Sequence, residues 1–127
     1  MKKLILLAAL ALTPALTPCL AQAADVNGNW ALNGVFNTMG IKFALNCHFA
    51  QAGAKLTGVC RDPARPDAAI NPVGSVSGNQ VVFAYDTNYM GVAVHLTYKA
   101  AVQANGSLAG SVDAVQAQGT FSGVRTK

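Results

Sequence analysis

From Met90 to Val102 every second residue is apolar or aromatic: Met90, Val92, Val94, Leu96, Tyr98, Ala100 and Val102. Between them stand Gly91, Ala93, His95, Thr97, Lys99, Ala101 and Gln103, which are small, polar or charged. A period of two is the signature of a strand with one buried and one wet face, as in antiparallel sheets. A second such run is Met39, Ile41, Phe43, Leu45, Cys47 and Phe49, with Lys42, Asn46 and His48 on the other face. No helix signal of useful length follows Ala24. The chain is therefore expected to be all-β. Its 52% hydrophobic and 11% charged residues exclude a disordered chain.

The first residues read differently. Lys2-Lys3 is a short basic stretch, Leu4 to Leu12 is an unbroken apolar run, and Ala21-Gln22-Ala23 is an A-x-A signal. Together they predict a secretory signal peptide over 1–23, too short for a transmembrane span. A lipoprotein anchored at Cys19 is the rival reading, but Pro18 stands where a small residue is expected. Removal of 1–23 leaves one domain, 24–127, with seven Lys+Arg against five Asp and no Glu. A net charge of +2 supports no phosphate-tracking surface, so nucleic acid is not an expected partner. Two cysteines remain, Cys47 and Cys60, and an even pair in an exported, oxidising setting reads as a disulfide.

Turn signals divide the domain into about eight strands, near 27–36, 41–50, 55–61, 72–77, 80–86, 91–103, 107–113 and 119–125. Tight turns are expected at Gly53-Ala54, Gly78-Asn79 and Asn105-Gly106. Centring the first on 53/54 sets Cys47 opposite Cys60 and Phe49 opposite Gly58. Centring the second on 78/79 sets Val76 opposite Val81 and Phe83 opposite Gly74. Both hairpins thus lay a Phe over a strand glycine on the inner face. Asn37-Thr38-Met39-Gly40-Ile41 recurs as Asn88-Tyr89-Met90-Gly91-Val92, and the buried parity switches between the copies as the odd offset of 51 requires. Two similar halves are implied. An eight-stranded antiparallel meander hides its edges by closing into an up-and-down barrel.

The meander puts the three tight turns at one end. Longer connections, 37–40, 62–71, 87–90 and 114–118, gather at the other, which is the expected mouth. The 62–71 segment, with Pro63, Pro66 and Arg65, reads either as a stiff lid or as a polar link between the halves.

Gly28-Asn29-Trp30 opens the first strand as G-x-W, and Arg125 closes the last, in Thr120-Phe121-Ser122-Gly123-Val124-Arg125. In this the chain resembles the calycin superfamily, the lipocalin-like barrels. The resemblance implies that Trp30 sits at the closed end with the Arg125 cation over its indole. It also implies carriage of a small molecule. The chain is shorter than true lipocalins and lacks their C-terminal helix; having a single Trp, it also departs from avidin-like barrels.

Candidate chemistry is sparse. His48 and His95 fall on outward faces, without acids at metal-ligand spacing, and no cofactor or metal is expected. Gly74-Ser75-Val76-Ser77-Gly78 has Val where a nucleophile elbow needs Ser. The inner face is apolar with polar tips. Phe43, Phe83, Tyr85 and Tyr98, with Met39 and Met90 at the mouth, are the candidate contacts for a small hydrophobic or aromatic ligand. The same rings and methionines also fit a solid core with a plugged end. The leading expectation is an exported, periplasmic or extracellular, non-catalytic binding barrel. A protein-interaction module of envelope or protease-inhibitor type is the alternative. A third is a cofactor-free lyase or isomerase at the mouth, using Tyr85, Tyr89, Tyr98, His95, Lys99, Asp86 and Arg65. The oligomeric state is not legible.

Overall fold

A computed structural model describes residues 23–127; Cys19 and, apart from Ala23, the expected signal peptide lie outside them. The strands are β1 (Gly28–Phe36), β2 (Ile41–Ala52), β3 (Lys55–Asp62), β4 (Arg65–Ile70), β5 (Val73–Ser77), β6 (Gln80–Tyr89), β7 (Val92–Val102), β8 (Leu108–Ala114) and β9 (Ala117–Arg125). All pairings are antiparallel, and β1 pairs with both β2 and β9 while β2 also pairs with β3, which closes the sheet. β4 and β5 lie on β3 in a single register, Ile70 opposite Cys60 and Ser75 opposite Lys55, so they form one strand interrupted at Asn71-Pro72. The result is a closed eight-stranded up-and-down barrel. Among the described residues no helix is long and apolar enough to cross a membrane.

The registers follow the turn chemistry. Cys47 pairs with Cys60 and Phe49 with Gly58 across the β2–β3 hairpin, and the two cysteines are joined in a disulfide. Phe83 pairs with Gly74 across β5–β6. A Cβ at Gly58 would stand 2.8 Å from the Phe49 ring, and one at Gly34 would overlap the ring of Phe43. These glycines therefore make room for aromatic rings that fill the barrel, rather than leaving space inside it.

The core is an aromatic column. Phe83 and Tyr98 stack at 4.7 Å, with Phe49 5.2 Å from Phe83 and Phe121 edge-on to Tyr98 at 5.1 Å. Trp30, Leu32, Leu56, Leu108, Val76, Val81 and Val112 complete it, all essentially without solvent exposure. His48 and His95 are on the outer surface, as the alternation requires.

Two regions differ from the sequence-based expectation. Residues 62–71 are neither lid nor link: Arg65–Ile70 form a strand on β3 after a bulge at Arg61/Asp62. Pairing along one edge suffices for a strand, and prolines are tolerated where the other edge makes no ladder. The expected long connections at 87–90 and 114–118 are short turns instead, because β6–β7 extends to the pair Tyr89–Val92 and β8–β9 to Ala114–Ala117. Met90 and Gly91 both adopt positive φ, 52° and 80°, the backbone of a two-residue hairpin turn whose twist matches its strands.

Candidate functional site: the two ends of the barrel

One end is sealed. Trp30 is paired with Arg125 on adjacent strands, and the guanidinium lies 4.6 Å from the indole centroid. Arg125 also donates to the carbonyls of Asn27 (2.7 Å) and Asp25. That fastens the segment ahead of β1 across the opening. Val26 from this segment is buried, its carbonyl accepts from Trp30 Nε1 at 2.9 Å, and its N–H donates to Gln51 Oε1 at 2.9 Å. The Asp25 carboxylate is held below its usual range, chiefly because it accepts from the backbone N–H of Asn27 and then from that residue's side chain. The sequence reading assigned Trp30 and Arg125 to this end but missed Val26, a lone apolar residue in a polar stretch that becomes a plug only when the chain crosses the opening.

The other end is apolar and half open. Above the Phe83–Tyr98 stack lies a layer of partly buried side chains, Phe36, Phe43, Ile70 and Val94, packed on the core. Phe36 and Phe43 are 5.1 Å apart, and Phe43 stands edge-on to Tyr98 at 6.2 Å. Tyr85, at 8% exposure, brings its hydroxyl 2.7 Å from that of Tyr98. Whichever hydroxyl donates, the other retains a hydrogen for a further acceptor. Burial raises both phenols above their ordinary value, Tyr98 far more, and the Tyr85 phenol is raised further by the nearby Asp62 carboxylate. Both act as neutral hydrogen-bonding groups. Beyond this layer Met39, Met90 and Val115 stand on the turns of the same end, with Tyr89 and Val92 on the strand ends beside them, and all are largely exposed, Met90 at 87% and Val115 at 84%.

The six candidate ligand contacts are thus divided by depth. Phe83 and Tyr98 are enclosed in the column; Phe43 and Tyr85 form the floor of the mouth; Met39 and Met90 project from its rim and do not plug it. Two shallow, open concavities, about 340 and 330 Å³, lie outside the aromatic column, one against the sealed end around Asp25 and Gln51, the other beside His48 and Arg61. Of the candidate catalytic groups, Tyr85 and Tyr98 face inward. His95 bonds Asp86 at 2.7 Å on the outer surface, with side-chain exposures of 57% and 82%. The barrel wall separates the two sets. Among the described residues no cluster of three or more His, Cys, Asp or Glu could hold a metal ion.

The fold and site define an antiparallel β-barrel with a buried aromatic cluster, one sealed end and one apolar mouth. No protein-family model matches the chain, and no curated protein sequence matches it either.

Proposed function

We propose that this is a non-catalytic binding domain of an exported protein, calycin-like in build, which receives a small apolar or aromatic group on the floor of its mouth. The supporting observation is the asymmetry of exposure. Of eight exposed large apolar side chains among the described residues, five (Met39, Tyr89, Met90, Val92 and Val115) gather at the mouth end, above a floor of Phe36, Phe43, Ile70 and Tyr85, whereas Val59, Val73 and Val124 stand singly on the outer faces of strands. Exposed apolar groups gathered in one place mark interaction sites, whereas single scattered ones do not. The filled aromatic column favours a shallow seat over an internal cavity. The Tyr85–Tyr98 hydroxyl pair supplies one orienting donor, so an aromatic ring bearing a carbonyl or ether oxygen suits the seat best. Export is supported by the disulfide and by the leader-like residues 1–23.

The test is an NMR titration of the ¹⁵N-labelled disulfide-bonded protein with acetophenone and anisole. The expected shifts fall on Phe43, Ile70, Tyr85 and Val94, with Asn27 and Trp30 unmoved. Shifts confined to the sealed end, or none at millimolar ligand, remove the proposal. Trp30 fluorescence is a poor reporter here, because the indole lies at the opposite end of the barrel.

A further inference from the structure

Between β4 and β6 the barrel wall is unzipped. β5 is bonded to the lower half of β6, Val73 opposite Ala84 and Ser77 opposite Gln80. β4 continues β5 upward in the same register on β3, so its free edge faces the upper half of β6. No ladder pairing joins β4 to β6 among the described residues, and β4 ends the strand order with β3 as its one neighbour. The divergence begins at Pro72, a buried residue whose carbonyl accepts from Gly58 N–H on the β3 side. Above it Arg65–Ala69 are exposed on both faces, and Arg61 Nη1 donates to the Pro66 carbonyl at 2.6 Å, which holds β4 against β3.

The backbone groups that face this slot can be named. Val102 N–H donates to Asn79 O, so the even residues of β7 and the odd residues of β6 point at each other. The even residues of β6, Asp86 and Asn88, then point their N–H and C=O groups at the slot. On the opposite side Val76 N–H donates to Ala54 O and Pro72 O accepts from Gly58 N–H, so even residues face β3. Ala69 and Asn71 therefore turn theirs toward β6. Two strand edges confront one another with no protein partner in the ladder.

We infer that this slot receives an extended polypeptide segment of a partner protein, added as a strand between β4 and β6. A row of alternating backbone donors and acceptors is matched only by another backbone. The two faces specify the guest's sequence. Its inward side chains would cover Ile70, Tyr85 and Thr87 at the mouth and should be apolar. Its outward side chains would lie between Asn71 and Asp86, whose carboxylate is 82% exposed, and should include a cation. The guest is thus a segment alternating apolar residues with Lys. The apolar half of this specification rests on the mouth reading; the backbone half does not.

The probe is the capped hexapeptide Val-Lys-Val-Lys-Val-Lys, added to the disulfide-bonded protein and read by amide hydrogen exchange. Protection is expected at Ala69, Asn71, Asp86 and Asn88, with Ala93 and His95, on the far edge of the β6–β7 arm, unprotected. Asn88→Pro removes one slot-facing N–H and leaves the β7-facing groups of Thr87 and Tyr89 in place. It should weaken the peptide by about tenfold, the scale of a lost hydrogen bond. Asp86→Lys, which deletes no backbone group, should shift preference to Val-Glu-Val-Glu-Val-Glu. Absence of protection at saturating peptide, affinity of both variants for the Lys peptide equal to that of the wild type, or protection that grows with protein concentration alone overturns the assignment. Because Asn88 is exposed and lies on the outward face of β6, Asn88→Pro should still bind acetophenone. In the wild-type protein, failure to bind the peptide with retention of the small aromatic sinks the slot alone, and the converse sinks the mouth reading alone.

Discussion

The two ends of this barrel are built from the same strands but are finished in opposite ways. At the sealed end a short segment crosses the opening, buries Val26 and is fastened by Arg125 and Gln51. At the mouth the apolar inner faces of β6 and β7 run on past their neighbours, so Tyr89 and Val92 pair with each other and with nothing else. β8 leaves β7 after Thr97, and β4 never joins β6. The lesson is that strand length, more than composition, makes the difference. An apolar stripe one hairpin too long for its barrel becomes an exposed surface. The repeat shows this within one molecule, since Met39-Gly40 and Met90-Gly91 occupy corresponding turns before β2 and β7, and only the second caps an overhanging arm.

If the sealed end carries stability and the mouth carries binding, substitutions should separate the two. Trp30→Ala removes a fully buried indole and its bond to Val26 O, and should cost about 3–5 kcal/mol in urea denaturation. A loss under 1 kcal/mol would break the comparison. Replacing both Cys47 and Cys60 by Ala opens a loop with a sequence separation of 13 and should cost about 3 kcal/mol. The measurement is the same denaturation, compared with the disulfide-bonded protein.

The boundary between the regions is the hydroxyl pair. Tyr85→Phe leaves the deeper Tyr98 hydroxyl without its 2.7 Å partner and should cost about 1–3 kcal/mol. Adding Tyr98→Phe should restore most of that loss, because both polar groups are then gone. A double variant no better than the single one would show that water reaches Tyr98.

Alkaline pH probes the same pair. Both phenols are raised in the folded protein, so the folded state keeps protons that the unfolded state releases above its ordinary value near 10. Stability is full below that pH and should fall above it, by about 1.4 kcal/mol per pH unit for Tyr98 and over a narrower range for Tyr85. Absorbance at 295 nm should show Tyr98 ionising only as the protein unfolds. The smallest effect belongs to the rim: Met90→Ala, at a position 87% exposed, should change stability by no more than about 0.5 kcal/mol. Its effect should appear in the acetophenone titration instead.

Much of the fold is legible in the chain, for local reasons. Glycine turns at 53 and 78 set two registers, and each register is checked by a Phe meeting a glycine. The Cys47–Cys60 and Trp30–Arg125 pairs follow from the same arithmetic and from the G-x-W resemblance. The slot was not legible. Residues 62–71 carry the prolines and charges of a loop, and they form a strand only because β3 offers an edge. Val26 gave one weak signal, an apolar residue between Asp25 and Asn27. The functional residues divide the same way: Tyr85 and Tyr98 are inward by parity, but their hydroxyl contact depends on ring positions from two strands.

What the amino-acid order settled alone is which side chains face in and which strands are neighbours. Alternation and tight turns are properties of a few consecutive residues, and a one-residue slip would turn every buried group outward. What the assembled barrel decided is where its wall stays open and whether its interior is filled. Those depend on the circumference eight strands can close and on how rings from β2, β6, β7 and β9 share one volume, and no single segment encodes either quantity.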